Sequence, residues 1–84
     1  MTQEQALAVV RDAIKTQDPD IKDYTPESDL SSLGIDSLDV LAIAMVVEDK
    51  YCVDFPNSAL NKIYKIQDFV DVVMTYIPES RKAR

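Results

Sequence analysis

A chain of 84 residues, 46% apolar and 29% charged, has room for one small domain (residues 1–84) with a modest core and is too apolar to be disordered. The net charge is −6, and three of the nine basic residues sit in the tail Arg81-Lys82-Ala83-Arg84, so the body would be repelled by phosphate backbones and drawn to basic surfaces, which argues against nucleic-acid binding. Histidine is absent and Cys52 is the only cysteine, which excludes an internal disulfide, His/Cys metal sites and Ser-His or Cys-His nucleophile pairs.

The N-terminus has no basic, hydrophobic signal pattern, and no apolar stretch approaches the length of a membrane span. A cytoplasmic monomer, not embedded in a membrane, is expected. The first helix is predicted from Thr2 to Thr16. Thr2 and Gln5 have capping-box spacing, and Ala6, Leu7, Val10, Ala13 and Ile14 recur at helical steps. Asp18-Pro19 discourages continuation.

From Gln17 to Asp36 no period is sustained, and Pro19 and Pro26 stand among acids. This stretch reads as a long loop with at most a short turn of helix, pinned to the core by Ile21, Tyr24, Leu30 and Leu33. Asp18 and Asp20 open like a calcium loop, but Lys22 occupies a ligand position and Asp23 replaces the required glycine. A calcium site is therefore rejected.

The second helix is predicted to start at Asp36 or Ser37 and to end near Tyr51. Val40, Ile43, Ala44, Val47 and Tyr51 form one apolar stripe, and Leu38, Leu41, Ala42 and Met45 a second. A helix apolar nearly all round is hard to bury in so small a domain, so the second stripe is the candidate partner surface. Asp36, Asp39, Glu48 and Asp49 are the candidate acidic contacts for basic partner patches, where they would tune encounter rate. Cys52 is expected to be a buried structural thiol.

Val53-Asp54-Phe55-Pro56 is a connector, and a short third helix capped by Asn57 or Ser58 is predicted to run to about Tyr64. The last helix is predicted from Ile66 to just before Pro78, and Glu79–Arg84 as a frayed tail. The fold class is all-α: three main helices and one short one in a small bundle.

The candidate site is Leu33-Gly34-Ile35-Asp36-Ser37-Leu38. Gly34, the only glycine, permits a tight conformation ahead of the helix. Asp36 or Ser37 can cap the first turn, and an anion attached to Ser37 would sit at the positive end of a helix. Ser37 has no base of its own, so chemistry on it must come from another protein. Cap and attachment point both remain open from the residues alone.

Leu33-Gly34-Ile35-Asp36-Ser37-Leu38-Asp39 resembles the motif of acyl carrier proteins. The likeness extends to the amphipathic first helix, the acidic loop, Met45 with Glu48 and Asp49, Val53-Asp54-Phe55-Pro56, and Ile66-Gln67-Asp68-Phe69-Val70. It implies a carrier, not an enzyme. A holo-carrier synthase (a phosphopantetheinyl transferase) would attach 4′-phosphopantetheine from coenzyme A to Ser37. Acyl groups would then travel as thioesters between ketosynthases, acyltransferases or ligases of fatty-acid or lipid biosynthesis. The resemblance also implies an acyl pocket between the helices, for which Ile43, Val47, Ile63, Ile66 and Phe69 are the candidates. Polyketide, aminoacyl or D-alanyl cargo is the alternative, and an unmodified helical interaction module the non-carrier one. Three positions depart from the pattern: Ala42 where fatty-acid carriers typically have glutamate, Asp29 where a phenylalanine is frequent, and Lys50 where an acid is common. They point to a specialised pathway.

Overall fold

The computed structural model describes residues 1–78, and the tail predicted to fray lies outside them. Four helices follow in order: α1 (Gln3–Gln17), α2 (Ser37–Tyr51), α3 (Asn57–Leu60) and α4 (Ile66–Tyr76). A single 3-10 turn, Ser31–Leu33, interrupts the loop before α2.

Helix α1 begins where the capping-box spacing places it. Gln5 N–H donates to Thr2 Oγ1 at 3.1 Å, and Thr2 N–H donates to Gln5 Oε1 at 2.9 Å. Its buried face is Ala6, Val10, Ala13 and Ile14, with Leu7 packed at the margin. In α2 the first predicted stripe is the buried one: Val40, Ile43, Ala44 and Val47 face the core, with Tyr51 at its edge. Phe69, Ile66, Val70 and Val73 of α4 are fully buried against them in one continuous cluster.

Contacts between helix ends explain the length of the loop. Gln3 and Gln67 exchange side-chain hydrogen bonds, joining the starts of α1 and α4. Lys50 Nζ meets Asp12 Oδ2 at 3.0 Å, joining the later turns of α1 and α2. The two helices thus run in the same general sense, and residues 18–36 must return along the bundle to start α2. The Lys50–Asp12 pair is exposed. The hydrogen bond that Lys50 donates to Asp12 raises the Lys50 pKa, but solvent screening holds the pair's stabilisation to below about 1 kcal/mol.

The returning loop is fastened to the start of α4. Leu30 N–H donates to Tyr64 O, Ile66 N–H to Ser28 O and Gln67 N–H to Pro26 O, at 2.9, 3.1 and 2.8 Å. Asp29 and Lys65 form an isolated antiparallel bridge. Asp68 Oδ2 accepts from Tyr64 N–H and Lys65 N–H, so the first-turn acid completes the cap. This pairing corrects the predicted extent of α3. The helix stops at Leu60 because the chain must extend by Tyr64 to reach the loop, and neither Asn57 nor Ser58 caps it: the N-cap is Pro56.

Cys52 is a second correction. It is exposed, and at φ 55° and ψ 49° it is the left-handed residue that closes α2, its N–H donating to Glu48 O. Glycine usually fills that position, because a side chain there costs about 1–2 kcal/mol. Cys52→Gly is therefore expected to stabilise the fold by about 0.5–1 kcal/mol and raise the melting midpoint by a few degrees. Calorimetry checks this, and a lowered midpoint would show that side-chain contacts of Cys52 outweigh the backbone term.

Candidate functional site

The candidate serine is exposed at the first position of α2. The residue before it is extended (φ −96°, ψ −175°), which makes Asp36 the N-cap. Asp39 N–H donates to Asp36 Oδ1 at 3.0 Å, and Asp36 N–H donates to Asp39 Oδ2 at 3.1 Å. Two carboxylates thus form a reciprocal box at the positive end of the helix. Of the two candidate caps, the structure assigns the work to Asp36, and the Ser37 hydroxyl is not needed for it.

Upstream, Gly34 closes the 3-10 turn at φ 76°, its N–H donating to Ser31 O. A Cβ at Gly34 would meet nothing within 4 Å, so the demand for glycine is conformational and not steric. Ile35 N–H then returns to Leu30 O at 2.9 Å and Ile35 buries its side chain. The chain thereby enters the cap with Asp36 and Ser37 outside and Ile35 inside. Asp36→Ala should lose about 0.5–2 kcal/mol of stability, whereas Asp36→Asn, which keeps a capping oxygen, should lose much less. Urea denaturation compares the two, and equal losses would mean that charge, not the cap, is what counts.

A cleft of about 340 Å³ opens beside Ser37. Leu30 and Ile35 of the loop, Val40 and Leu41 of α2, and Leu60, Ile63 and Tyr64 after the connector line it, with Asp29 and Asp36 at its polar side. Ile63 is on its wall. Ile43, Val47, Ile66 and Phe69, proposed from the sequence as pocket residues, are buried in the core and do not line this cleft. Sequence reasoning missed the other wall residues. The one available signal was Leu30 and Ile35, apolar residues in an acidic loop just before the serine.

The second α2 stripe is on the surface: Leu38 is 73% exposed, Leu41 42% and Met45 66%, with Ala42 half-buried between them. Tyr64, 70% exposed, lines the same cleft as Leu41. The acids are less uniform. Asp49 is exposed, and Asp36 and Asp39 hold the cap. Glu48 is partly buried and its Oε2 accepts from Phe55 N–H at 2.9 Å, clamping the connector to the end of α2. Phe55 also meets Tyr76 edge to face, with ring centroids 6.1 Å apart.

Residues 4–73 match the family model described as a phosphopantetheine attachment site. The acyl carrier protein of Campylobacter jejuni strain 81-176 is 36% identical over 67 residues, 80% of this chain and 75% of its own length. That of Campylobacter hominis is 36% identical over 76 residues, 90% of this chain and 80% of its own. The chain belongs to the acyl carrier protein family. The fold agrees: the crystal structure of an acyl carrier protein from Thermotoga maritima superposes with a TM-score of 0.77 over 87% of each chain, at 24% identity. The protein is accordingly a carrier acted on by enzymes, not an enzyme itself, and its prosthetic group is 4′-phosphopantetheine. Among the described residues no helix is long and apolar enough to cross a membrane.

The helix start fits such a group. An exposed hydroxyl at the first helical position places an attached phosphate near the positive end of α2, which attracts it. Asp36 and Asp39, in the cap and first turn of the same helix, oppose the phosphate and offset part of that attraction.

Proposed function

We propose that Ser37 carries the 4′-phosphopantetheine arm, and that the protein works as a cytoplasmic monomer delivering acyl intermediates between enzymes of fatty-acid or lipid biosynthesis in a specialised pathway. The division of labour at the start of α2 supports this most directly. Asp36 and Asp39 hold the helix end, so the Ser37 Oγ can be esterified without loss of the cap.

The chain has no histidine, and the carboxylates that flank Ser37 at the helix start, Asp36 and Asp39, are engaged as cap acceptors. The Ser37 proton must therefore be taken by the holo-carrier synthase, with coenzyme A as the donor. When attached, the group supplies a flexible arm ending in a thiol that holds an acyl chain as a thioester. The protein's own contribution is placement. The rigid turn from Gly34 to Asp36 fixes where the arm leaves the surface, and tethering makes each delivery effectively intramolecular. The apolar cleft beside Ser37 can shelter the first part of a cargo chain, with Ile63 the residue of the predicted pocket that lines it. A longer chain would have to part Ile43, Val47, Ile66 and Phe69, at a cost in core packing.

The α2 surface supports a dedicated set of ketosynthases, acyltransferases or ligases. Leu38, Leu41, Ala42 and Met45 present an apolar stripe, and Asp39, Glu48 and Asp49 lie along its margins. Three of the four acids proposed as partner contacts already accept backbone hydrogen bonds, which restrains how far they can reach. The test is a side-by-side assay of the holo protein and a housekeeping carrier with a general fatty-acid ketosynthase. A kcat/KM lower by about tenfold or more is expected for this protein, equivalent to roughly 1.4 kcal/mol in the transition state. Equal values would reject the specialised pathway, and refusal of every acyl donor would reject the acyl cargo.

A further inference from the structure

Tyr64 belongs to no helix and is 70% exposed, yet its backbone is firmly held. Its N–H donates to Asp68 Oδ2 and its carbonyl accepts from Leu30 N–H, both at 2.9 Å. Ile63 and Ile66, on either side of it, are buried. The chain is thus fastened from both directions while the ring stays in solvent. Among the described residues, the phenol oxygen has no hydrogen bond and the ring no aromatic or cationic neighbour.

The ring lines the cleft beside Ser37, and so does Leu41. Leu41 is 42% exposed and lies one helical turn beyond the serine. Leu38, next to the serine, is 73% exposed. Apolar side chains from α2 and from the segment after α3 therefore meet at the attachment point. An exposed aromatic on a fixed backbone has few rotamers to lose when it is covered, which suits it to contact.

We infer that Leu41 and Tyr64 are two jaws that grip one apolar side chain of the phosphopantetheinyl transferase. The inference rests on Ser37 being the residue loaded. The transferase must bring its own base within about 3 Å of the Ser37 Oγ, so its surface must cover the ground around that atom. Leu38 and Leu41 stand on that ground, and the cleft opens onto it, so the grip is continuous with the contact that loading requires. Loading precedes acylation, and no cargo competes for the cleft at that stage. Exposed Asp29, Asp36 and Asn61 make part of the lining polar, so the fit is to a single apolar side chain and not to a broad apolar plate. The acids can draw a basic enzyme in, while burial of Leu41 and Tyr64 sets how tightly it stays.

The test is the initial rate of loading of the full chain, followed by intact mass at several carrier concentrations with coenzyme A and a broad-specificity phosphopantetheinyl transferase. Tyr64→Ala and Leu41→Ala should each raise KM by about tenfold, with kcat within about twofold. Tyr64→Phe, which keeps the ring, should stay within about twofold of the wild type, and so should Met74→Ala, an exposed apolar residue that does not line the cleft. One side chain held between two jaws makes the truncations non-additive, so the double variant should raise KM by about thirtyfold at most instead of about a hundredfold. The ratio of variant to wild-type KM should survive a rise from about 0.15 to about 0.5 M salt, because apolar burial is not screened. Unchanged KM in either truncation, additive truncations, or a loss of kcat alone would overturn the inference. So would dimerisation of the wild type that either truncation abolishes, since the occupant would then be a second copy. Both truncated variants should still load completely, and once, on prolonged incubation. Absence of loading in the wild type would instead reject Ser37 as the attachment point, and this inference with it.

Discussion

Phe69→Ala is expected to cost about 3–5 kcal/mol of stability, because the ring is fully buried and the removed volume leaves a cavity that its neighbours can only partly fill. Ile66, Val70 and Val73 of the same helix are buried in the same cluster as Ile43 and Val47 of α2 and Val10 and Ile14 of α1, so all three main helices share the loss. A domain of this size has only about 5–15 kcal/mol in hand. The melting midpoint should fall by at least about 12 °C. Thermal unfolding followed by circular dichroism measures it. A fall of only a few degrees would mean that the core is loose enough to close over the gap. That outcome would also favour a cargo chain reaching Phe69.

Ser37→Ala has the opposite profile. Loading of the arm should be lost completely, while the stability of the fold should change by less than about 0.5 kcal/mol. The reason is local. Had Ser37 been the cap, alanine would cost about 0.5–2 kcal/mol. Asp36 and Asp39 make that cap, so the variant should unfold at the same denaturant concentration as the wild type. A destabilised Ser37→Ala protein would show that the serine does structural work that the static geometry does not display.

Much of the fold can be read from periodicity. The α1 pattern Ala6, Val10, Ala13 and Ile14 identifies its buried face, and the two stripes of α2 separate into Val40-Ile43-Ala44-Val47 inside and Leu38-Leu41-Met45 outside. These are local features, set by which side chains share a helical face. The features that escape the sequence all depend on where distant backbone lies. Helix α3 ends early because Tyr64 O is needed by Leu30 N–H. Cys52 is exposed because α2 closes through a left-handed residue, a conformation that the composition around it does not announce.

The site divides in the same way. Asp36 and Ser37 both carry an oxygen able to cap, and only the extended backbone of Asp36 decides between them. Glu48 reads as a surface acid until the connector folds back and puts the Phe55 N–H within 2.9 Å of it. The cleft draws its walls from the loop, α2 and the segment after α3. The periodicity of one helix cannot reveal such a convergence. The candidates Ile43, Val47, Ile66 and Phe69 mark the core, whereas Leu30, Ile35, Leu60 and Tyr64 mark the space beside the serine.

The central claim is that Ser37 is the attachment point on a helix end that Asp36 holds. Intact-mass spectrometry tests it most directly, on the wild-type protein after incubation with coenzyme A and a broad-specificity phosphopantetheinyl transferase, followed by peptide mapping. The expected result is a gain of a single phosphopantetheine, located on the peptide that contains Ser37 and absent from Ser37→Ala. No gain, or a gain that persists in Ser37→Ala, would contradict it.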